Sequence, residues 1–287
     1  RKKIERVYSD EARTGIFEED NPFLEMISDD LLETSVAVAN RWKEEFVVSE
    51  NQKTNDLVFI QFSKEGMDHF AFLRIALRET LTHLGGEVDN PIKLTQNNLP
   101  GFGTGADEAL VINLQSRKYH LIEKRIKYNG TFLNYFSENL LQAQPKISPK
   151  KSIKALEKTA QKIAESFNTD DFQFQSKVKS AIFNHIEEEN KLSPEKLADD
   201  LFNDNLTARL SFIDQVKEAV PEPVTFEEID ASRQLKKFEN QKLSLSNGIE
   251  LIVPNNVYED AESVEFILNE NGTYSILIKN IEDIQSK

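Results

Sequence analysis

Leu57-Val-Phe-Ile-Gln-Phe62 and His69-Phe-Ala-Phe-Leu-Arg-Ile75 flank the tight turn Lys64-Glu-Gly66, and this stretch decides the class of fold. The two β-rich runs joined by a glycine-containing turn predict an antiparallel hairpin. The first run is apolar on both faces, as a buried strand would be. A second hairpin is expected from Ala109–Leu114 and Tyr119–Lys127, joined around Ser116–Lys118. Between the hairpins a long loop is expected from Gly85 to Asp107, with Gly85-Gly86, Asn90-Pro91 and Pro100-Gly-Phe-Gly-Thr-Gly105. Before them, the first forty residues read as helical. Ser28 is placed to cap a helix whose apolar residues Ile27, Leu31, Leu32, Val36, Ala39 and Trp42 recur up to Phe46.

Beyond the second hairpin the pattern turns helical from Thr131 to about Val220. Segments are expected near 131–142, 149–167, 170–189, 194–203 and 205–219. Ser148-Pro149 and Ser193-Pro194 each place a capping serine before a proline at the first helical position. Pro221 and Pro223 end this region, and a short helix near 230–239 follows. Four strands are then expected: Lys242–Ser246, Ile249–Val253, Ser263–Leu268 and Thr273–Lys279. Two of their turns are Asn247-Gly248 and Asn271-Gly272, a dipeptide suited to the positive φ of hairpin turns. The expected class is α+β, with N-terminal antiparallel hairpins and helices, a helical middle region and a C-terminal antiparallel β-meander. The expected divisions are an N-terminal α+β domain over 1–144, a helical region over 145–220 and a small β domain over 221–287.

The 287 residues are 39% hydrophobic and 29% charged, the profile of a globular chain. No apolar run approaches the roughly 18–20 residues that a membrane-spanning helix needs. Absence of cysteine excludes disulfides and thiolate metal sites and fits a reducing cytoplasm. The chain opens Arg1-Lys-Lys3, not on Met, which suggests a natural start further upstream.

Charge is distributed unevenly. The window Arg117–Lys162 holds eleven Lys/Arg against three acids, a net +8, which leaves −22 for the rest of a chain of net −14. The cations are Arg117, Lys118, Lys124, Arg125, Lys127, Lys146, Lys150, Lys151, Lys154, Lys158 and Lys162. A local basic surface of this kind overrides the general repulsion between an acidic protein and a polyanion. Lys150, Lys154, Lys158 and Lys162 recur every four residues, each about 40° round a helix from the last. Ile153, Leu156, Ala160, Ile163 and Phe167 form an apolar stripe on another face. Lysines suit phosphate oxygens as point charges, giving affinity with little sequence information. The same stripe is also what keeps an amphipathic helix soluble. It could equally dock on acids of this chain, such as Glu187-Glu-Glu189 or Asp199-Asp200, or join two copies in a homodimer. Tyr128, Phe132, Tyr135 and Phe136 interleave with the cations, but the helical spacing of the last three points to core packing.

Several blocks resemble the bacterial nucleoid-associated NdpA family. They are Glu5-Arg-Val-Tyr-Ser9, Arg117–Leu141, Ser232-Arg-Gln-Leu-Lys-Lys-Phe238 and Gly248-Ile-Glu-Leu-Ile-Val253 with the hairpin that follows. The resemblance spans essentially the whole chain, and it implies a further N-terminal strand region in family members. It also implies a place with the nucleoid in the bacterial cytoplasm and association with nucleic acid. It brings no catalytic residues.

Enzyme-like constellations are weak. Gly101, Gly103 and Gly105 are followed by a strand, whereas a phosphate-cradling loop opens a helix. The four histidines are scattered, with no metal-ligand spacing. Asp107, Glu108 and Glu123 lie on or beside the second hairpin, the nearest approach to the clustered acids of a metal-dependent nuclease. The reading is therefore a non-enzymatic, cofactor-free binder of nucleic acid, DNA foremost and RNA as a second ligand. Recruitment to the nucleoid through a protein partner, or nuclease action, are the alternatives.

Overall fold

The computed structural model describes residues 2–48, 54–83, 85, 92–101, 103–168, 172–226 and 228–285. The chain divides into two compact units, Arg1–Lys151 and Ser152–Lys287. The α+β class read from the sequence is the class observed, with antiparallel sheets.

The first unit is built on a five-stranded antiparallel sheet in the order β1-β7-β6-β3-β2. These strands are β1 (Arg13–Ile16), β2 (Asn55–Lys64), β3 (Met67–Ala76), β6 (Glu108–Asn113) and β7 (Lys118–Ile122). Strands β2 and β3 pair from Asn55↔Ala76 to Lys64↔Met67, with Glu65 and Gly66 both at positive φ in the turn. Alternation along the strands makes two cores. Phe70, Phe72, Leu110 and Ile112 face one side, against Trp42 and Phe46 of α2 (Leu31–Val47). Ala71, Leu73, Ala109 and Val111 face the other, against Val7. Ile4 and Tyr8, from the segment that holds α1 (Lys2–Glu5), pack on this second core. Strand β2 is apolar on both faces for this reason, but it is an edge strand and only half-buried.

Several expectations need correction here. The helix of the N-terminal region starts at Leu31, capped by the Asp30 carboxylate, which accepts from the backbone N–H of Leu32 and Glu33. Ser28 lies upstream, where its hydroxyl donates to Glu33, and Arg13–Ile16 is a strand. The expected loop Gly85–Asp107 contains a strand, β5 (Ile92–Asn98), paired with β4 (Arg78–His83); residues 86–91 and Phe102 lie outside the described residues. Gly105 packs so closely on Arg6 that a Cβ would collide with its side chain. The helix expected over 131–142 is replaced by a second small hairpin, β8 (Ile126–Tyr128) with β9 (Thr131–Leu133), and one helical turn at Phe136–Leu140.

The second unit is helical, with α3 (Pro149–Ser166) entering from the first, then α4 (Phe172–Glu189), α5 (Pro194–Leu201), α6 (Leu206–Lys217) and α7 (Glu228–Phe238). Ser193 caps α5 before Pro194 as its sequence suggests, accepting from the N–H of Lys196. Leu156, Ala160, Ile182, Leu197 and Phe212 are fully buried in one apolar cluster. Burying a side chain the size of Leu contributes about 1.5–3 kcal/mol. A two-residue pair, β10 (Lys191–Leu192) with β11 (Val224–Thr225), closes the helical layer. The C-terminal strands do not form a meander. They make two separate hairpins, β12 (Asn240–Ser244) with β13 (Glu250–Pro254), and β14 (Val264–Leu268) with β15 (Tyr274–Ile278). Pro254 ends β13, and α8 (Asn255–Tyr258) turns the chain away from it. Asn255 is held there by buried bonds, its carbonyl oxygen accepting from Gln241 at 2.8 Å.

Candidate nucleic-acid interface

Helix α3 begins at the proline of Ser148-Pro149 and runs for 18 residues. Its buried residues Ser152, Ile153, Leu156, Ala160, Ile163 and Ala164 define one face. At 100° per residue, Lys151, Lys154, Lys158 and Lys162 lie on the opposite face, and all four are exposed. Lys151, Lys154 and Lys158 form no ion pair within the described residues. Lys162 is turned toward α6, donating to Gln215 at 3.0 Å.

Beside this face a groove of about 440 Å³ lies between α3 and α4. Lys154, Glu157, Lys158 and Gln161 line it from α3, and Gln175, Val178 and Lys179 from α4. Glu157 is half-buried; burial pushes its carboxyl upward, and the nearby Lys179 and Lys154 pull it back. Three ammonium groups and two amides thus surround one carboxylate, an electropositive groove within an acidic chain. Lys179 is a member that charge counting along the sequence passes over, because only the packing of α4 on α3 brings it to the basic window.

The other cations of the window are disposed differently. Lys150 donates to Glu11 at 2.8 Å, and with Arg6 it holds the Glu11 carboxyl down to about 2. Lys124 pairs with Asp107 at 3.0 Å, and Arg117 lies 3.6 Å from Glu19. The Arg125 guanidinium donates to the Phe132 carbonyl at 2.6 Å. Lys118, Lys127 and Lys146 are exposed on the first unit. Three of the five acids considered as intramolecular docking points have other partners. Asp199 pairs with Arg209 at 2.9 Å, Asp200 with His185 at 2.6 Å, and Glu189 with Lys196.

The nuclease-like acids are engaged in the fold. Asp107 accepts from the Ala76 N–H and from Lys124. Glu108 is fully buried, accepting from Arg74 at 2.6 Å and from the Tyr135 hydroxyl at 2.5 Å. Glu123 pairs with Arg13 and accepts from the backbone and hydroxyl of Ser137. Among the described residues no group of three or more acids and histidines is placed to hold a metal ion.

The family model for nucleoid-associated protein YejK matches residues 1–284, essentially the whole chain. The chain belongs to the YejK family. This is the nucleoid-associated family, also called NdpA, that the sequence blocks resemble. No curated protein matches the chain. Membership of the YejK family gives the protein a nucleoid-associated role and places it with the bacterial nucleoid. Among the described residues no helix is long and apolar enough to cross a membrane.

Proposed function

We propose that this YejK-family protein binds nucleic acid, DNA foremost, through phosphate contacts from the exposed lysine face of α3, with Lys179 of α4 alongside. The observation that carries the reading is that Lys151, Lys154 and Lys158 stand opposite the core stripe of α3, exposed and without ion pairs to the described residues, in a chain of net charge −14. Ammonium groups on flexible stems neutralise phosphates without reading base edges, so affinity should vary little with sequence. A nucleoid-associated role suits such binding, which needs no catalytic group. Asp107, Glu108 and Glu123, the acids a nuclease would use, serve instead as partners of Lys124, Arg74 and Arg13.

The test is fluorescence anisotropy with labelled duplex DNA across a range of salt. Each phosphate contact contributes about 0.9 to the slope of log K against log salt, so Lys154→Ala with Lys158→Ala should flatten it by about 1.8. The flattening should be the same on unrelated sequences. An unchanged slope removes α3 from the interface, and no measurable affinity in the wild type turns the reading toward recruitment by a protein partner.

A further inference from the structure

Phe132 is 57% exposed, although Tyr135 and Phe136 just after it are fully buried. Its position follows from the β8–β9 hairpin. Asn129 and Gly130 both take positive φ in the turn, 48° and 82°, and put Lys127 directly opposite Phe132. Cross-strand partners share a face of the ribbon, so the exposed ring and the exposed Lys127 side chain lie side by side. The other face of the hairpin is anchored. Ile126 is buried, Leu133 and Tyr128 pack on the aromatic core, and the Tyr128 hydroxyl donates to Glu45 at 3.0 Å. Arg125 completes the arrangement by donating to the Phe132 carbonyl at 2.6 Å, which ties its guanidinium to the backbone of the same residue.

An aromatic ring held outward on an anchored hairpin, with cations on the same short ribbon, is the arrangement by which proteins hold unpaired bases. The ring stacks on a base, and the cations take the phosphates on either side. Duplex DNA keeps its bases stacked inside, so it offers such a ring nothing beyond its phosphates. We propose that Phe132, with Arg125 and Lys127, forms a stacking platform for an unpaired base of single-stranded nucleic acid. This goes beyond the phosphate contacts of α3. It shares with that reading only the premise that the ligand is nucleic acid, because it rests on a different unit of the chain.

The experiment compares a fluorescein-labelled single-stranded 20-mer with its duplex, using wild type, Phe132→Ala and Phe132→Trp. Thermal melting confirms that each variant is folded, as expected for an exposed side chain. Loss of one stacked base weakens binding about 5- to 150-fold. Phe132→Ala should therefore lose about that factor on the single strand and keep its duplex affinity. Phe132→Trp should retain binding, and the new indole should be quenched as the single strand is added. Equal losses on single strand and duplex, no loss on the single strand, or no single-strand binding by the wild type would each overturn the platform. The α3 reading is judged separately, by the salt slope of Lys154→Ala with Lys158→Ala on the duplex.

Discussion

The Arg74→Leu variant unfolds at a markedly lower urea concentration than the wild type, with a loss of about 3–5 kcal/mol. Arg74 and Glu108 face each other across β3 and β6, and both are buried, at 2% and 0% exposure. The guanidinium donates to Glu108 at 2.6 Å and to the Asn55 side chain at 2.8 Å, and lies 5.3 Å from the centre of the Phe46 ring. The second carboxylate oxygen of Glu108 is buried and finds no hydrogen-bond donor among the described residues. Removing the arginine leaves that carboxylate in the core with only the Tyr135 hydroxyl, and an unpaired buried charge is strongly destabilising. Burial already pushes the Glu108 carboxyl above its ordinary value near 4.5, and without Arg74 it rises further. A carboxyl raised in the folded state favours folding only while it is protonated. The deficit of the variant is therefore larger at neutral pH and shrinks as pH falls toward the ordinary carboxylate value. Changing both partners, Arg74→Met with Glu108→Leu, should recover part of the loss, because no charge is then left behind. A deficit that does not depend on pH would show that packing, and not the orphaned charge, dominates.

Reversing Lys151, Lys154 and Lys158 to Glu abolishes most duplex binding, by up to about a hundred-fold at low salt. Three exposed charge pairs contribute up to about 1 kcal/mol each, which sets this factor. Lys179 is left in place so that the half-buried Glu157 keeps one of the two cations that compensate it, the other being Lys154. The effect should fade at high salt, where surface charges are screened beyond about 3 Å at 1 M. Replacing the same three lysines by Arg should preserve affinity. Circular dichroism separates loss of binding from loss of helix.

Much of this architecture is legible in the residues, and the exceptions have identifiable causes. The turn Lys64-Glu-Gly66 fixes the first hairpin because Gly66 takes the positive φ of the turn without steric cost. The Ser193-Pro194 start and the apolar stripe of α3 are local signals, and both appear in the structure. Residues 131–142 read as a helix because Phe132, Tyr135, Phe136 and Leu140 keep helical spacing. The pair Asn129-Gly130 is a strong hairpin signal that outweighs it, and the hairpin it closes turns Phe132 out to solvent. The C-terminal Asn-Gly turns are read correctly, with Gly248 and Gly272 at positive φ. Their hairpins stay apart, and between them Asn255 is held by hydrogen bonds to Gln241 and the Phe238 carbonyl, tertiary contacts without a sequence period. In the candidate site Lys154 and Lys158 are legible from their spacing, whereas Lys151 joins them only through the position of the buried stripe. Lys179 and the pairing of Lys150 with Glu11 depend on contacts between residues far apart in the chain.

Lysine acetylation with and without bound duplex DNA, read residue by residue by mass spectrometry, tests the α3 interface most directly. Lys151, Lys154, Lys158 and Lys179 should be protected by DNA, while Lys236 and Lys242, on α7 and β12, react at unchanged rates. Protection of those two lysines with none on α3 would contradict it.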